Sequence, residues 1–172
     1  MTHPSPNPTE NSAERDHQQT QDRERAADQL IERCGYAAAA LALVPLPGTE
    51  IIAVMPVHVG MVVGLGALYD APLDRDGAAE LLVRVGGTVG ASLIGTRLAS
   101  TAAKTLLPGL GVLIAAPLLY ATTLGLGAVV RAWLSCGGDL DPATARRVYR
   151  HAERGARRAF DPKQPPEAAP RA

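Results

Sequence analysis

Large aromatic side chains are scarce in this sequence of 172 residues. It has one Phe, one Trp and four Tyr, although a soluble core of this size normally uses Phe and Trp for their large buried area. Ala, Gly, Leu and Val supply most of the apolar content instead. Because small residues let helix backbones approach closely, this composition favours tight helix–helix packing.

Motifs of catalysis and metal binding are also absent from the sequence. It contains no GxxxxGK[ST], HExxH, GxSxG or CxxC motif. The GGTVGAS stretch at Gly86 follows no strand and lacks the Lys-Ser/Thr ending of a phosphate loop. Cys34 and Cys136 have no metal-ligand spacing, so we interpret them as reduced, semi-buried thiols, with lipidation of Cys136 as the weaker alternative. We therefore expect no enzymatic activity, no cofactor and no metal.

Charged residues are missing from two long stretches, although the whole chain is balanced at 17 acidic and 17 basic residues. The stretches run from Ile51 to Tyr69 and from Leu106 to Val130. A bilayer core takes about 20 apolar residues to cross. The second and fourth helices are therefore predicted to cross a membrane, with a soluble bundle as the alternative. A third crossing would bury Arg84 or Arg97, at roughly 2.5–3.5 kcal/mol each.

The spacing of apolar residues predicts an all-α fold of about five helices, with central apolar hairpins separated by Pro/Gly breaks. The first helix is expected from about Asp22 to Val44, and the second ends near Tyr69. The third covers roughly 76–105, capped by Asp74 or Asp76, and the fourth roughly 112–135.

The sequence divides the chain into four regions: a disordered polar tail (1–22), an apolar helical, membrane-associated domain (23–138), a basic amphipathic helix (139–160) and a second disordered tail (161–172).

The fifth helix is predicted to begin with Asp141 as its cap and Pro142 at its first position. On a helical wheel, six arginines fall on one face: Arg146, Arg147, Arg150, Arg154, Arg157 and Arg158. Such a face can contact anionic lipid or an acidic partner, and a simple solvated face is the alternative. Nucleic acid is not expected as a partner, because no base-stacking aromatic residues lie between the arginines.

Two polar residues of the second helix are candidate functional residues. Glu50 lies where a negative charge favours the start of a helix. His58 lies inside the apolar stretch, where an ionisable side chain needs a partner. The alternative to a functional role is that His58 is a neutral, hydrogen-bonded histidine that binds no ligand. The two residues are eight positions apart and about 80° apart around the helix, so they do not form a site by themselves.

The flanking charges and the glycines lead to predictions about location and assembly. Arginines on both flanks of the apolar region place both termini in the cytoplasm by the positive-inside rule, and the N-terminus lacks the apolar region of a signal peptide. Gly60 and Gly64, and Gly86 and Gly90, have the GxxxG spacing that lets helix backbones approach closely, with chance in a glycine-rich chain as the alternative. A homo-oligomer is a further candidate assembly. The alternatives to an integral membrane protein are a soluble oligomeric interaction module and a small channel- or holin-like pore.

Three short segments carry a family resemblance: Pro45-Leu46-Pro47-Gly48-Thr49-Glu50, His58-Val59-Gly60-Met61 and Leu107-Pro108-Gly109-Leu110-Gly111. Over roughly residues 30–135 they resemble a bacterial domain of unknown function, found in YcjF-type inner-membrane proteins and C-terminal to Era/Ras-like GTPases. Its pattern has Asp where this chain has Glu50, and Gln where it has His58. The resemblance implies a helical domain at the inner (cytoplasmic) membrane and a GTPase partner acting in trans, with no catalytic residues to carry over.

Overall fold

A computed structural model of the chain describes residues 8–41, 50–106 and 110–163, with side chains for 14–41, 53–90 and 115–163. Within these ranges the chain forms five helices and no strand: α1 (Pro8–Leu41), α2 (Glu50–Leu68), α3 (Arg75–Leu106), α4 (Leu110–Ser135) and α5 (Pro142–Ala159). The predicted all-α fold is confirmed. The Pro/Gly breaks at 45–49 and 107–109 lie outside the described residues, as do 1–7 and 164–172 of the two predicted tails.

The first helix begins at Pro8, earlier than the predicted start at about Asp22, so residues 8–22 are helical where the sequence predicted part of a disordered tail. Proline is favoured at the first helical position, and the Glu, Gln and Arg residues that follow are good helix formers. The described side chains from Glu14 to Asp22 are all exposed. Their polarity excludes them from the core, but it does not exclude a helix. We call residues 8–22 the α1 overhang.

Side-chain hydrogen bonds explain where α3 and α5 begin, and two glycines explain where α4 ends. Asp74 accepts a hydrogen bond from the backbone N–H of Gly77 (2.8 Å) and caps α3. Asp141 accepts from the N–H groups of Ala143 and Thr144 and caps α5 as predicted, and the hydrogen bonds from Thr144 lower the pKa of its carboxyl group. Beyond α4, Gly137 and Gly138 have positive φ angles of 69° and 92°, a conformation that glycine adopts without strain.

The fourth helix is the centre of the fold. It packs against all four other helices, and around it α1 contacts α2, α2 contacts α3, and α3 contacts α5. Most side chains between Tyr120 and Val130 are buried. Near its end, Arg131 forms an ion pair with Asp28 of α1. The second of the two uncharged stretches therefore supplies the core helix of a bundle.

Glycines allow α1 and α5 to pack directly on the backbone of α4. A Cβ atom added at Gly125 would lie 2.6 Å from a ring carbon of Tyr149 in α5, and one at Gly127 would lie 2.7 Å from the side chain of Ile31 in α1. Among the GxxxG glycines, Gly64 lies against Leu30, whereas a Cβ at Gly60 would meet nothing within 4 Å. The close approach expected from the composition thus occurs mainly around α4.

Three of the six aromatic residues form a cluster that fixes the end of α5. The ring centroid of Tyr120 in α4 lies 4.7 Å from that of Tyr36 in α1 and 5.2 Å from that of Phe160, the residue after α5. Burial raises the pKa of Tyr120, and the charges of Tyr36 and Glu32 act in the same direction. The C-terminal end of α5 is therefore held against both α1 and α4.

Candidate functional site

His58 joins α2 to α4 through a buried hydrogen bond. Its side chain is almost fully enclosed, and its Nε2 atom lies 3.0 Å from the hydroxyl oxygen of Thr123. The Thr123 hydroxyl donates its only proton to the carbonyl oxygen of Leu119, at 2.8 Å. Nε2 must therefore carry a proton and donate it to Thr123. This geometry identifies His58 as a hydrogen-bond donor that connects two helices.

Sequence reasoning missed Thr123 as the partner of His58. Thr123 is fully buried beside Thr122, and these two hydroxyls are the buried polar groups that α4 contributes among the described side chains. The only signal for it was a Thr-Thr pair within an uncharged stretch. That signal identifies a polar position but not its partner, which is 65 residues away along the chain.

Glu50 is the first residue of α2, and its side chain lies outside the described part of the chain. Eight residues of helix separate it from His58 by about 12 Å along the axis. The two candidate residues therefore do not form one site through their positions on α2. A role for Glu50 stays a prediction.

The predicted arginine-rich face of α5 is exposed in the structure, and we call it the arginine face: Arg146, Arg147, Arg150, Arg154, Arg157 and Arg158. The opposite face of α5 is buried through Ala145, Tyr149 and Ala156. Because α5 has one acidic residue, Glu153, its net charge is +5 with histidine neutral. The fold thus holds a strongly basic surface on a fixed helix.

Some arginines of this face are tied by the protein itself. Arg146 donates from Nε to the carbonyl oxygen of Thr88 in α3, at 2.9 Å. Arg157 pairs with Glu153 at 2.6 Å. Arg150, Arg154 and Arg158 have no acidic partner within ion-pair distance among the described residues, so their charges remain accessible to an anionic ligand.

The family model described as a domain of unknown function (DUF697) matches residues 9–135. The chain belongs to this family. The resemblance expected from the three short motifs is therefore confirmed, and the match includes most of the α1 overhang. No curated protein and no solved structure matches the chain. The arginine face of α5 lies beyond the part of this DUF697 chain that the family model covers.

One helix in the described part of this DUF697 chain is long and apolar enough to cross a membrane, namely Ala115–Ser135 of α4. The apolar part of α2, Ala53–Leu68, is shorter. Slightly more than half of the α4 segment, 56%, is buried inside the bundle. A membrane-spanning helix and the core helix of a soluble protein can have the same length and composition. These two properties are therefore only weak evidence of membrane association.

The two cysteines are free and differ in exposure. Cys34 is half-buried, as predicted, and burial raises the pKa of its thiol. Cys136 was also expected to be semi-buried, but it is exposed in the loop after α4 because the chain turns there at Gly137. Among the described side chains, no group of three or more His, Cys, Asp or Glu residues could hold a metal ion.

Proposed function

We propose that this protein is a non-enzymatic helical module that binds the surface of an anionic membrane through the arginine face of α5. The observation that carries the proposal is the fixed presentation of six exposed arginines on one side of a helix. The other side of that helix is packed on α4. The binding surface is therefore formed before a ligand arrives.

The chemistry of the arginine face suits lipid phosphates. A guanidinium group presents a planar fork of N–H donors that matches the oxygens of a phosphate. Each basic residue near an anionic membrane contributes about 1 kcal/mol, and the attraction falls off within about 10 Å at 0.1 M salt. Among the described residues, Arg157 alone of the six has an ion-pair partner, so the other five supply this attraction without first losing an internal ion pair.

The position of α4 favours peripheral binding over insertion. Its neighbours α1 and α5 carry charged residues on their outer sides, such as Glu24 and Arg150. Moving α4 into hydrocarbon together with these helices would bury such charges, at roughly 2.5–3.5 kcal/mol each near the bilayer centre. Placement at the bacterial inner membrane, cytoplasmic termini and a GTPase acting in trans stay predictions that follow from the resemblance and the charge pattern.

Vesicle co-sedimentation tests this proposal with purified full-length protein. The protein is expected to bind vesicles that contain phosphatidylglycerol and to ignore pure phosphatidylcholine vesicles. The double variant Arg150→Gln/Arg154→Gln should bind about 25-fold more weakly, at about fivefold per charge.

The control is Arg15→Gln/Arg25→Gln, which removes the same total charge from the exposed side of α1, where Arg25 is paired with Asp22. This variant should bind nearly as well as the unmodified protein. Equal losses in the two double variants would contradict a specific role of the arginine face, and unmodified protein that fails to bind anionic vesicles would contradict the proposal itself.

A further inference from the structure

Three arginines of the arginine face form a row along α5, and we call them the arginine ladder: Arg150, Arg154 and Arg158. They recur every four residues, so neighbouring members lie on adjacent turns of the same side of the helix. All three are exposed, and none has an acidic partner within ion-pair distance among the described residues. Four residues of helix rise about 6 Å. The ladder therefore offers three cations at regular intervals.

Hydrogen bonds to the helix backbone orient two members of the ladder. The Nε–H group of Arg150 donates to the carbonyl oxygen of Arg146 (3.3 Å), and that of Arg158 donates to the carbonyl oxygen of Arg154 (3.2 Å). These bonds use the inner nitrogen of each guanidinium group and leave its two terminal NH₂ groups available to a ligand. A side chain that is already oriented loses less conformational entropy when it binds.

The other arginines of the arginine face are more strongly engaged by the protein. Arg157 pairs with Glu153, and Arg146 reaches across to the backbone of α3. Arg147 uses a terminal nitrogen, Nη2, to donate to the hydroxyl oxygen of Thr144 (3.2 Å). The ladder is therefore the part of the arginine face that is best able to bind phosphate through its terminal nitrogens.

We infer that the arginine ladder binds a lipid whose single headgroup carries two phosphate groups joined by a short bridge. This inference rests on the proposed function and adds the class of headgroup. The oxygens of one phosphate can accept from two neighbouring guanidinium groups. Three arginines in a row thus make two phosphate positions about 6 Å apart along the helix, and Arg154 contributes to both. A bridge of a few atoms spans this distance.

Two phosphates on one headgroup should bind more tightly to the ladder than two separate ones. Once the first phosphate is bound, the bridge holds the second beside its position at a high effective concentration. The protein fixes the spacing, because α5 is capped by Asp141 and packed on α4 through Tyr149. A patch that acts only through its charge would show no such preference, since it responds to the surface charge density of the membrane.

Vesicles matched in charge test the inference with purified full-length protein. Cardiolipin joins two phosphatidyl groups through one glycerol. Half as many cardiolipin molecules as phosphatidylglycerol molecules therefore give the same charge and the same number of acyl chains. In co-sedimentation the unmodified protein should bind the cardiolipin vesicles at least about tenfold more tightly. Equal affinities for the two kinds of vesicle would overturn the inference.

The variant Arg154→Lys tests the fork geometry at constant charge. A lysine ammonium group is a compact point charge and lacks the planar fork that matches phosphate oxygens. The preference for cardiolipin should therefore fall to about twofold or less. The control Arg25→Lys makes the same change at an exposed position of α1 and should keep the full preference. The same preference in both variants would overturn the ladder as the binding element.

The outcomes separate this inference from the proposed function. Equal binding to both anionic vesicles, without binding to pure phosphatidylcholine, would overturn the inference and leave the proposed function standing. No binding to either anionic vesicle would overturn both. Displacement from cardiolipin vesicles by inorganic pyrophosphate, but not by sodium chloride of equal ionic strength, would assign the ladder to a soluble diphosphate and overturn its assignment to lipid.

Discussion

At the scale of single residues, His58 has a defined role in the fold. It is buried between α2 and α4, and its Nε2–H group donates to Thr123.

Removing the Thr123 hydroxyl should destabilise the protein. Thr123→Val keeps the size of the side chain but leaves the N–H group of His58 without its acceptor in a buried place. The expected loss is about 1–3 kcal/mol of unfolding free energy, measured by urea denaturation. Thr123→Ser keeps the hydroxyl and should lose less. A Thr123→Val variant as stable as the unmodified protein would show that this hydrogen bond contributes nothing.

The sequence identified His58 but could not identify its partner. An ionisable side chain in an apolar helix is visible as a local anomaly, whereas Thr123 is distant along the chain and has an uncharged side chain. The cap Asp141 was predictable, and the cap of α3 was narrowed to Asp74 or Asp76, because a cap acts on the helix that directly follows it. At this scale, the sequence therefore predicted interactions between neighbouring residues but not contacts between residues that are distant along the chain.

At the scale of helices, α2 and α4 differ more than their sequences do. Both have long uncharged stretches, and the same argument predicted both to cross a membrane. In the structure α4 lies among four helices, whereas α2 lies among fewer and exposes one apolar side. Composition reports how apolar a helix is but not which neighbours cover it, so the difference was not predictable from the sequence.

The packing of α5 on α4 depends on the absence of a side chain at Gly125. Gly125→Ala should destabilise the protein by about 1–3 kcal/mol, because the new methyl group overlaps the ring of Tyr149. Gly155→Ala, on the exposed side of α5, is the control and should stabilise by roughly 0.5–1 kcal/mol. Thermal unfolding followed by circular dichroism measures both variants. If the Gly125 variant is as stable as the Gly155 variant, α5 does not pack on α4 as described.

At the scale of the whole molecule, a charged layer partly surrounds an apolar core helix. The outer helices α1 and α5 carry most of the described charge, whereas the exposed residues described in α2 are apolar: Pro56, Gly60 and Ala67. This arrangement suits a protein that rests on a membrane surface. A soluble oligomeric module would instead cover the open side of α2 with a second copy, and a channel-like pore would require α4 to leave its neighbours.

Membrane fractionation of the native, untagged protein tests the central claim most directly, with a high-salt wash and an alkaline carbonate wash applied separately. Peripheral binding through the arginine face predicts that the protein is found with the membrane at low salt and is released by high salt. Retention through both washes would contradict this account, because it would show that α2 or α4 is inserted across the bilayer. Recovery entirely in the soluble fraction at low salt would contradict membrane binding itself.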